Sequence, residues 1–236
     1  MNLTAGAMSK ADLKIDWATH AAAKYACENW HYSGCLPAGK LVRVGAWENG
    51  KFIGVVLFGR GANNRMASAY GLGQDQACEL VRVALTGHKM PVSRIASQSM
   101  RFLKRQSPNL RLIVSYADPK QGHHGGIYQA GNWTYQGRSQ AQRELLIDGV
   151  FTHKRSAHAK YGTASPEKIT AKTGRRVEWA QIEWKHVYLM PLDAEMRAQI
   201  EPLAKPYPKR DKQAMADTLG TAAGQHRPSR SISEAK

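Results

Sequence analysis

The sequence predicts an α/β fold in which a mixed sheet is flanked by helices and followed by a disordered basic C-terminal tail. Three features carry that expectation. Residues 41–47 and 52–58 are apolar, β-branched runs on either side of Glu48-Asn49-Gly50-Lys51, and Asn-Gly between such runs is the short-range signature of an antiparallel hairpin. Residues 78–85 and 112–117 (CELVRVAL and LIVSYA) read as buried strands with a helix between them, an order that implies a parallel crossover. After Leu203 the chain turns to Lys, Arg, Pro, Ser and Ala with few large apolar residues, a composition that cannot bury enough surface to fold alone.

The remaining elements follow in chain order. Apolar residues Trp17, Ala21, Ala22, Tyr25 and Ala26 recur at helical spacing and predict an amphipathic helix over residues 15–30. A turn-rich loop, HYSGCLPAGK, comes next. Residues 59–73 are polar and glycine-rich, and a loop of that length is expected to be functional or disordered. Pro91 and Ser93 open a helix that runs through Leu103. Asp118-Pro119 ends the strand at 112–117, and a short helix is expected at 126–130. Residues 133–135 read as a strand, and 145–147 with 150–152 as a second hairpin turning on Asp148-Gly149. Ser165-Pro166-Glu167 marks a helix start, with Ser as cap and Pro in the first turn, and residues 184–190 read as the last strand. On this reading residues 1–203 form one domain, with a basic insertion at about 138–176, and 204–236 form a flexible basic tail.

Charge narrows the choice of partner. The 236 residues carry 34 Lys and Arg against 18 Asp and Glu, a formal charge of +16. Such a chain wants an anionic partner, and nucleic acid is the first expectation, although ribosomal and membrane-surface proteins can be as basic. The excess concentrates at 138–176, where nine basic residues face three acidic ones and are interleaved with Tyr135, His153, His158 and Tyr161. A surface that tracks phosphates and a solvated helical face both fit that pattern. Cys27, Cys35 and Cys78 are an odd number with no CxxC spacing, which points to a reducing compartment rather than a disulfide framework or a zinc knuckle. Neither a leader pattern nor a run of about 18 apolar residues occurs, so no membrane is expected.

The segments ENWHYSGCLPAGK, FIGVVLFGRGAN and CELVRVAL, and above all VSYADPKQGHHGGIYQAGNWTYQG, resemble the Mom DNA-modification proteins of Mu-like phages. The resemblance covers about residues 26–133 well and the rest weakly. It implies an acetyltransferase-like fold of the GCN5-related type. It implies an enzyme that converts adenine in double-stranded DNA to an N6-carbamoylmethyl derivative, protects phage DNA from restriction and works in the cytoplasm of the bacterial host. Two other readings stay open, a CoA-dependent N-acetyltransferase acting on another amine and a non-catalytic DNA-binding protein of the same fold. The donor of the modifying group is an unknown small molecule. Acyl-CoA enzymes of this fold carry a glycine-rich loop after the central strand whose N–H groups hold a pyrophosphate at a helix N-terminus. Here that place reads Leu85-Thr86-Gly87-His88-Lys89-Met90-Pro91, with one glycine and a proline that donates no N–H, so ordinary acetyl-CoA is not the expected cofactor.

Four residues are the candidates for chemistry. Asp118 ends a buried strand, where it either caps the turn before Pro119 or presents a carboxylate to the adenine amine. Tyr128, in GIYQAGNW, either packs on the sheet or serves as the general acid that the resemblance places there. Arg82, charged among Leu80, Val81, Val83 and Ala84, must find an acid such as Glu79, line the cleft as an anion-binding fork, or face solvent from an edge. His31, with Tyr32 beside it, either positions substrate or ligates a redox metal such as iron, with His123 and His124 as a second cluster near Asp118. Substrate contacts are expected from Tyr32, Ser99, Arg138, Lys154, Arg155, Arg175 and Arg176.

Overall fold

The computed structural model describes residues 12–61, 65–182 and 184–209. In chain order its elements are β1 (Leu13–Trp17), α1 (His20–Trp30), β2 (Leu41–Glu48), β3 (Lys51–Gly59), β4 (Ala77–Leu85), α2 (Val92–Gln106), β5 (Leu112–Ala117), α3 (Gly126–Gln129), β6 (Thr134–Arg138), β7 (Gln142–Ile147), β8 (Val150–Thr152), α4 (Lys154–Tyr161), α5 (Pro166–Thr173), β9 (Val177–Ile182), β10 (His186–Pro191) and α6 (Ala194–Ile200). Seven strands form one sheet in the order β1-β2-β3-β4-β5-β10-β6, and three form a smaller sheet in the order β8-β7-β9. In the large sheet β4 and β5 run parallel and the other neighbours antiparallel.

Local chemistry explains most of these boundaries. Asn49 and Gly50 adopt φ of 51° and 76°, so the β2–β3 connection is the tight turn their residue types favour. In α2 the residues Ile95, Ala96, Ser99, Met100 and Leu103 are buried, a helical stripe that packs into the same core as Val56, Phe58, Leu80 and Ile113 of the sheet. Ser165 caps α5 as expected, its side chain accepting from the Lys168 N–H.

One expectation is corrected at the N-terminal side. Residues 13–17 are a strand paired antiparallel with β2, from Leu13 opposite Glu48 to Trp17 opposite Val44. Leu13 and Ile15 turn to the core while Lys14 stays exposed, a period of two that the helical reading overrode. The helix starts at His20, where the Thr19 side chain accepts from the Ala22 N–H at 3.1 Å. The loop after β3 is also more structured than its composition suggested, for Met66, Ala67, Tyr70 and Leu72 are buried against α6 and β10.

The basic insertion folds as a small unit. Leu145, Ile147, Ala157 and Ile169 form its separate core. Its two ends meet beside the main sheet, where Ser139 N–H donates to the Lys185 carbonyl at 2.8 Å and Lys185 N–H to Ser139 Oγ at 2.9 Å. Beyond Leu203 the chain remains on the domain. Lys205 N–H donates to the Tyr135 carbonyl at 2.8 Å, the Tyr207 hydroxyl to the Trp133 carbonyl at 2.6 Å, and Gln129 Nε2 to the Pro208 carbonyl at 3.3 Å. The expected flexible tail from residue 210 onward lies outside the described residues.

Gly54 is the position with least tolerance for a side chain. It holds φ of 134°, and an added Cβ would lie 2.0 Å from the Ala84 carbonyl oxygen on the neighbouring strand. Gly54→Ala is expected to destabilise the fold by about 3 kcal/mol, since backbone strain and backbone overlap combine. Gly149→Ala, left-handed at φ 82° but facing open space, is expected to cost about 1 kcal/mol. Urea unfolding of both variants measures the difference, and equal effects would contradict the close approach of β3 to β4.

Candidate active site

The cleft originates in the way β4 and β5 part. They pair from Ala77 opposite Leu112 to Leu80 opposite Ser115, and there the pairing stops, although β4 runs on to Leu85 and β5 to Ala117. The carboxyl ends of parallel strands are where α/β proteins place ligands. At the floor sits Ser115, fully buried, with Oγ 2.8 Å from the Leu80 carbonyl oxygen and 2.8 Å from the Tyr128 hydroxyl. A serine has one proton to give and a carbonyl can only accept, so Ser115 donates to Leu80 and Tyr128 donates to Ser115. Burial pushes the Tyr128 hydroxyl up to about 12, so it stays protonated at neutral pH. Tyr188 and Trp133 each hold its ring at 5.0 Å between centroids.

The mouth is formed by the segment after α1. The Tyr32 ring is 4.2 Å from that of His31 and 5.3 Å from that of His123. Ser33 places both its N–H (3.2 Å) and its hydroxyl (2.9 Å) on His31 Nδ1. A backbone N–H only donates, so the neutral ring carries its proton on Nε2. Burial, assisted by Arg82 and His123, lowers His31 to about 4. Burial likewise lowers His123, against the pull of Asp118.

Arg82 joins the mouth from β4, near His31 and Tyr32. Its Nη1 donates to the Cys35 carbonyl, across the loop that carries His31 and Tyr32. Its Nε is buried with no hydrogen-bond partner among the described residues. Asp118 takes the first of the two roles considered for it, the cap of the turn before Pro119. One oxygen accepts the Lys120 N–H at 3.0 Å and so caps the turn, while the other lies 3.7 Å from Lys185 Nζ. The structure therefore brings His31, Tyr32, Arg82 and Asp118 to one mouth, with Tyr128 beneath it.

Other expected contacts fall elsewhere. Ser99 is a correction, because it is fully buried in α2 and its hydroxyl donates back to the Ile95 carbonyl at 2.9 Å, which leaves it nothing to offer a substrate. Arg175 is paired with Asp148 at 3.3 Å and Arg176 with Glu178 at 3.4 Å, both on the small sheet. Lys154 lies over the Trp179 ring at 5.0 Å. Arg155 reaches the Gly61 carbonyl at 3.1 Å and ties α4 to the loop after β3. The donor set around His31 does not fit the iron expected of it. Metal on Nε2 would force the proton onto Nδ1, against the Ser33 N–H, and no group of three or more His, Cys, Asp or Glu that could hold a metal occurs among the described residues.

Two features escaped sequence reasoning. Ser115 was visible as the one small polar residue in the run LIVSYA. Glu48 gave no such signal. Its carboxylate, 6% exposed, accepts the N–H of Lys89 at 2.8 Å and of Met90 at 2.7 Å, the loop that precedes α2. Those hydrogen bonds hold its carboxyl below the usual range.

A mixed seven-stranded sheet flanked by helices, with its parallel pair parting over a cleft, is the mixed α/β architecture that the sequence predicted. Among solved structures the chain is similar to a candidate acetyltransferase of Acinetobacter baylyi ADP1 (TM-score 0.39, 11% identity, 87% of this chain and 100% of that one). It is also similar to the aminoglycoside acetyltransferase AAC(6')-Ib in complex with coenzyme A (TM-score 0.43, 10% identity, 81% and 98%). The chain belongs to the Mom protein family, whose model matches residues 12–209. It is 23% identical over 205 residues to the methylcarbamoylase mom of Escherichia phage Mu, covering 84% of each. No helix among the described residues is long and apolar enough to cross a membrane.

The histidines of the mouth predict a pH dependence of stability. His31 binds a proton only near pH 4 in the folded chain but at its ordinary 6.5 when unfolded, so the unfolded state takes up the extra proton between those values. Stability contributed by the neutral ring is present above pH 6.5 and is lost as pH falls toward 4. The melting temperature should decline from pH 7 to pH 5, and His31→Gln should flatten the decline. A profile that rises on acidification would contradict the buried, neutral ring.

Proposed function

We propose that the protein modifies DNA, converting adenine in the duplex to an N6-carbamoylmethyl derivative. The observation that carries this reading is the Asp118 carboxylate at the end of β5, facing the Tyr32 and His123 rings over the parted strands, in a member of the Mom family. The methylcarbamoylase mom of phage Mu, related over most of its length, supports the reaction type. A formal charge of +16 supports a polyanionic partner.

Adenine N6 is a poor nucleophile, because its lone pair is delocalised into the ring, and it is reachable by a bulky reagent only outside the base stack. On this reading Asp118 accepts a proton from N6 as the nitrogen forms its bond to the methylene carbon of an electrophilic carbamoylmethyl donor. The donor's leaving group departs with the electron pair of the broken bond. Arg82 holds negative charge on the donor, and Tyr32 stacks against the extruded base. Tyr128, kept protonated, closes the floor through Ser115 and on this reading is the acid that gives a proton to the departing group.

Ordinary acetyl-CoA does not belong to this reading. The N–H groups of Lys89 and Met90, which would face a pyrophosphate before α2, already serve Glu48, and Pro91 has none to give. Calorimetry with coenzyme A should therefore give no binding at micromolar concentrations. Tight binding would revive the N-acetyltransferase alternative.

Mass spectrometry of nucleosides from plasmid DNA, isolated from cells expressing the protein, tests the reaction itself. Wild type should yield a new adenine derivative heavier by one carbamoylmethyl group. Asp118→Asn and Tyr128→Phe should each reduce its yield at least about a hundredfold, with melting temperatures near wild type. An unmodified adenine pool from wild type would sink the proposal, and full yield from both variants would move the site elsewhere.

A further inference from the structure

The mouth continues past Asp118 along β10 toward the edge strand. His186 is opposite Ala117 of β5 on one side and opposite Arg138 of β6 on the other, so Arg138 projects from the same face of the sheet as His186. That face is the one that carries Ser115, two residues before Ala117 on β5, and Lys185, next to His186, reaches Asp118 at 3.7 Å.

Arg138 is exposed yet fixed. Its guanidinium carbon lies 3.8 Å from the centroid of the Trp184 ring, and Trp184 meets His186 edge-on at 5.0 Å. His186 is in turn 7% exposed and hydrogen-bonded through Nδ1 to the Tyr135 hydroxyl at 2.8 Å. A guanidinium laid on an aromatic ring gives up one face and keeps its N–H fork at the rim. Burial and the Arg138 charge lower His186, so the charge offered there at neutral pH is that of Arg138. Among the described residues no carboxylate pairs with Arg138, whereas Arg111, Arg175 and Arg176 each have one.

We propose that Arg138, held flat on Trp184, is the phosphate clamp of the active site. It grips a backbone phosphodiester of the strand whose base is presented to Asp118, and so positions the nucleotide rather than reacting with it. This rests on the DNA-modifying reading above. The chemistry is that of a planar fork facing a phosphate, two N–H donors toward two anionic oxygens, with the aromatic ring sparing the entropy of ordering a free side chain. It sets Arg138, laid on Trp184, apart from Arg175 and Arg176 of the basic stretch 138–176, which are paired with neighbouring acids.

Fluorescence anisotropy of the full-length protein with a labelled duplex, measured over a series of salt concentrations, tests the clamp. Arg138→Ala should weaken binding about tenfold and lower the slope of log affinity against log salt by about one. Arg138→Lys should keep the slope, because the charge remains, but recover only part of the affinity, because the fork is gone. Trp184→Leu should weaken binding with the slope kept. Arg197→Ala, an exposed arginine on α6 against the opposite face of β10, is the reference for loss of a surface charge and should do less than Arg138→Ala. An Arg138→Ala effect no larger than that of Arg197→Ala would overturn the clamp. A tenfold loss with the slope unchanged would overturn it too, since that result describes stacking on a base. If wild type binds and modifies DNA while Arg138→Ala matches it in both, the clamp fails and the function stands. A wild type that does not bind DNA would end both.

Discussion

Everything at the cleft depends on the separation of β4 from β5 after Leu80. A parallel pair that stayed zipped to its ends would fill this space with backbone hydrogen bonds and leave no mouth. Ser115 stabilises the point of separation, since its hydroxyl takes the Leu80 carbonyl and in turn receives the Tyr128 proton. Both polar groups are buried, so each would be costly if unpaired. Removing the Ser115 hydroxyl takes the partner from both and disturbs the junction as well as any chemistry above it, whereas without the Tyr128 hydroxyl Ser115 still donates to Leu80.

The electrostatics of the mouth follow from the same geometry. Burial keeps His31, His123 and His186 below the ordinary histidine range, so the rings at and beside the mouth, two of which sequence offered as candidates for substrate or metal, are neutral walls at physiological pH. Fixed positive charge comes from Arg82 within the cleft and from Arg138 and Lys185 outside it. A neutral, partly aromatic pocket flanked by arginines suits a nucleotide, whose base is uncharged and whose phosphates lie at its periphery.

The sheet was legible because its signals are local. Asn49-Gly50 specifies its turn, the run LIVSYA its buried strand, and Asp118-Pro119 the point where that strand must stop. Illegible elements are those whose pattern is set by distant partners. The strand at 13–17 has only five residues and leads without a break into a helical stripe, so its period of two was read as part of the longer period. α4 and β9 were missed because their charged residues mask a narrow apolar stripe, Ala157 on one and Val177 on the other, that makes sense only around Leu145 and Ile169. Asp118, Tyr32, His31 and Arg82, singled out from residue type and strand ends, lie near one another at the mouth. Ser99 was misplaced, because a serine on a helix gives no sign of whether it faces a cleft or its own carbonyls. The pairing of Arg175 and Arg176 with acids could not be read either, since charge counts do not say which cations are already satisfied.

Glu48 shows how one buried side chain can redirect a fold. The turn before a helix offers several N–H groups to whatever anion is near, and an acyl-CoA enzyme leaves them for its cofactor. Here the anion is covalently part of the protein, delivered from the end of β2, and its effective concentration at the seat exceeds that of any dissolved competitor. Expelling it would leave a carboxylate unpaired in a nearly closed environment, a cost that a pyrophosphate would have to offset before binding at all. With that seat filled, Arg82 in the cleft and Arg138 beside it remain as cationic groups near the site. On the function proposed above, negative charge would then be received not at the start of α2, where Glu48 sits, but at the split of β4 from β5, where the nucleotide would arrive.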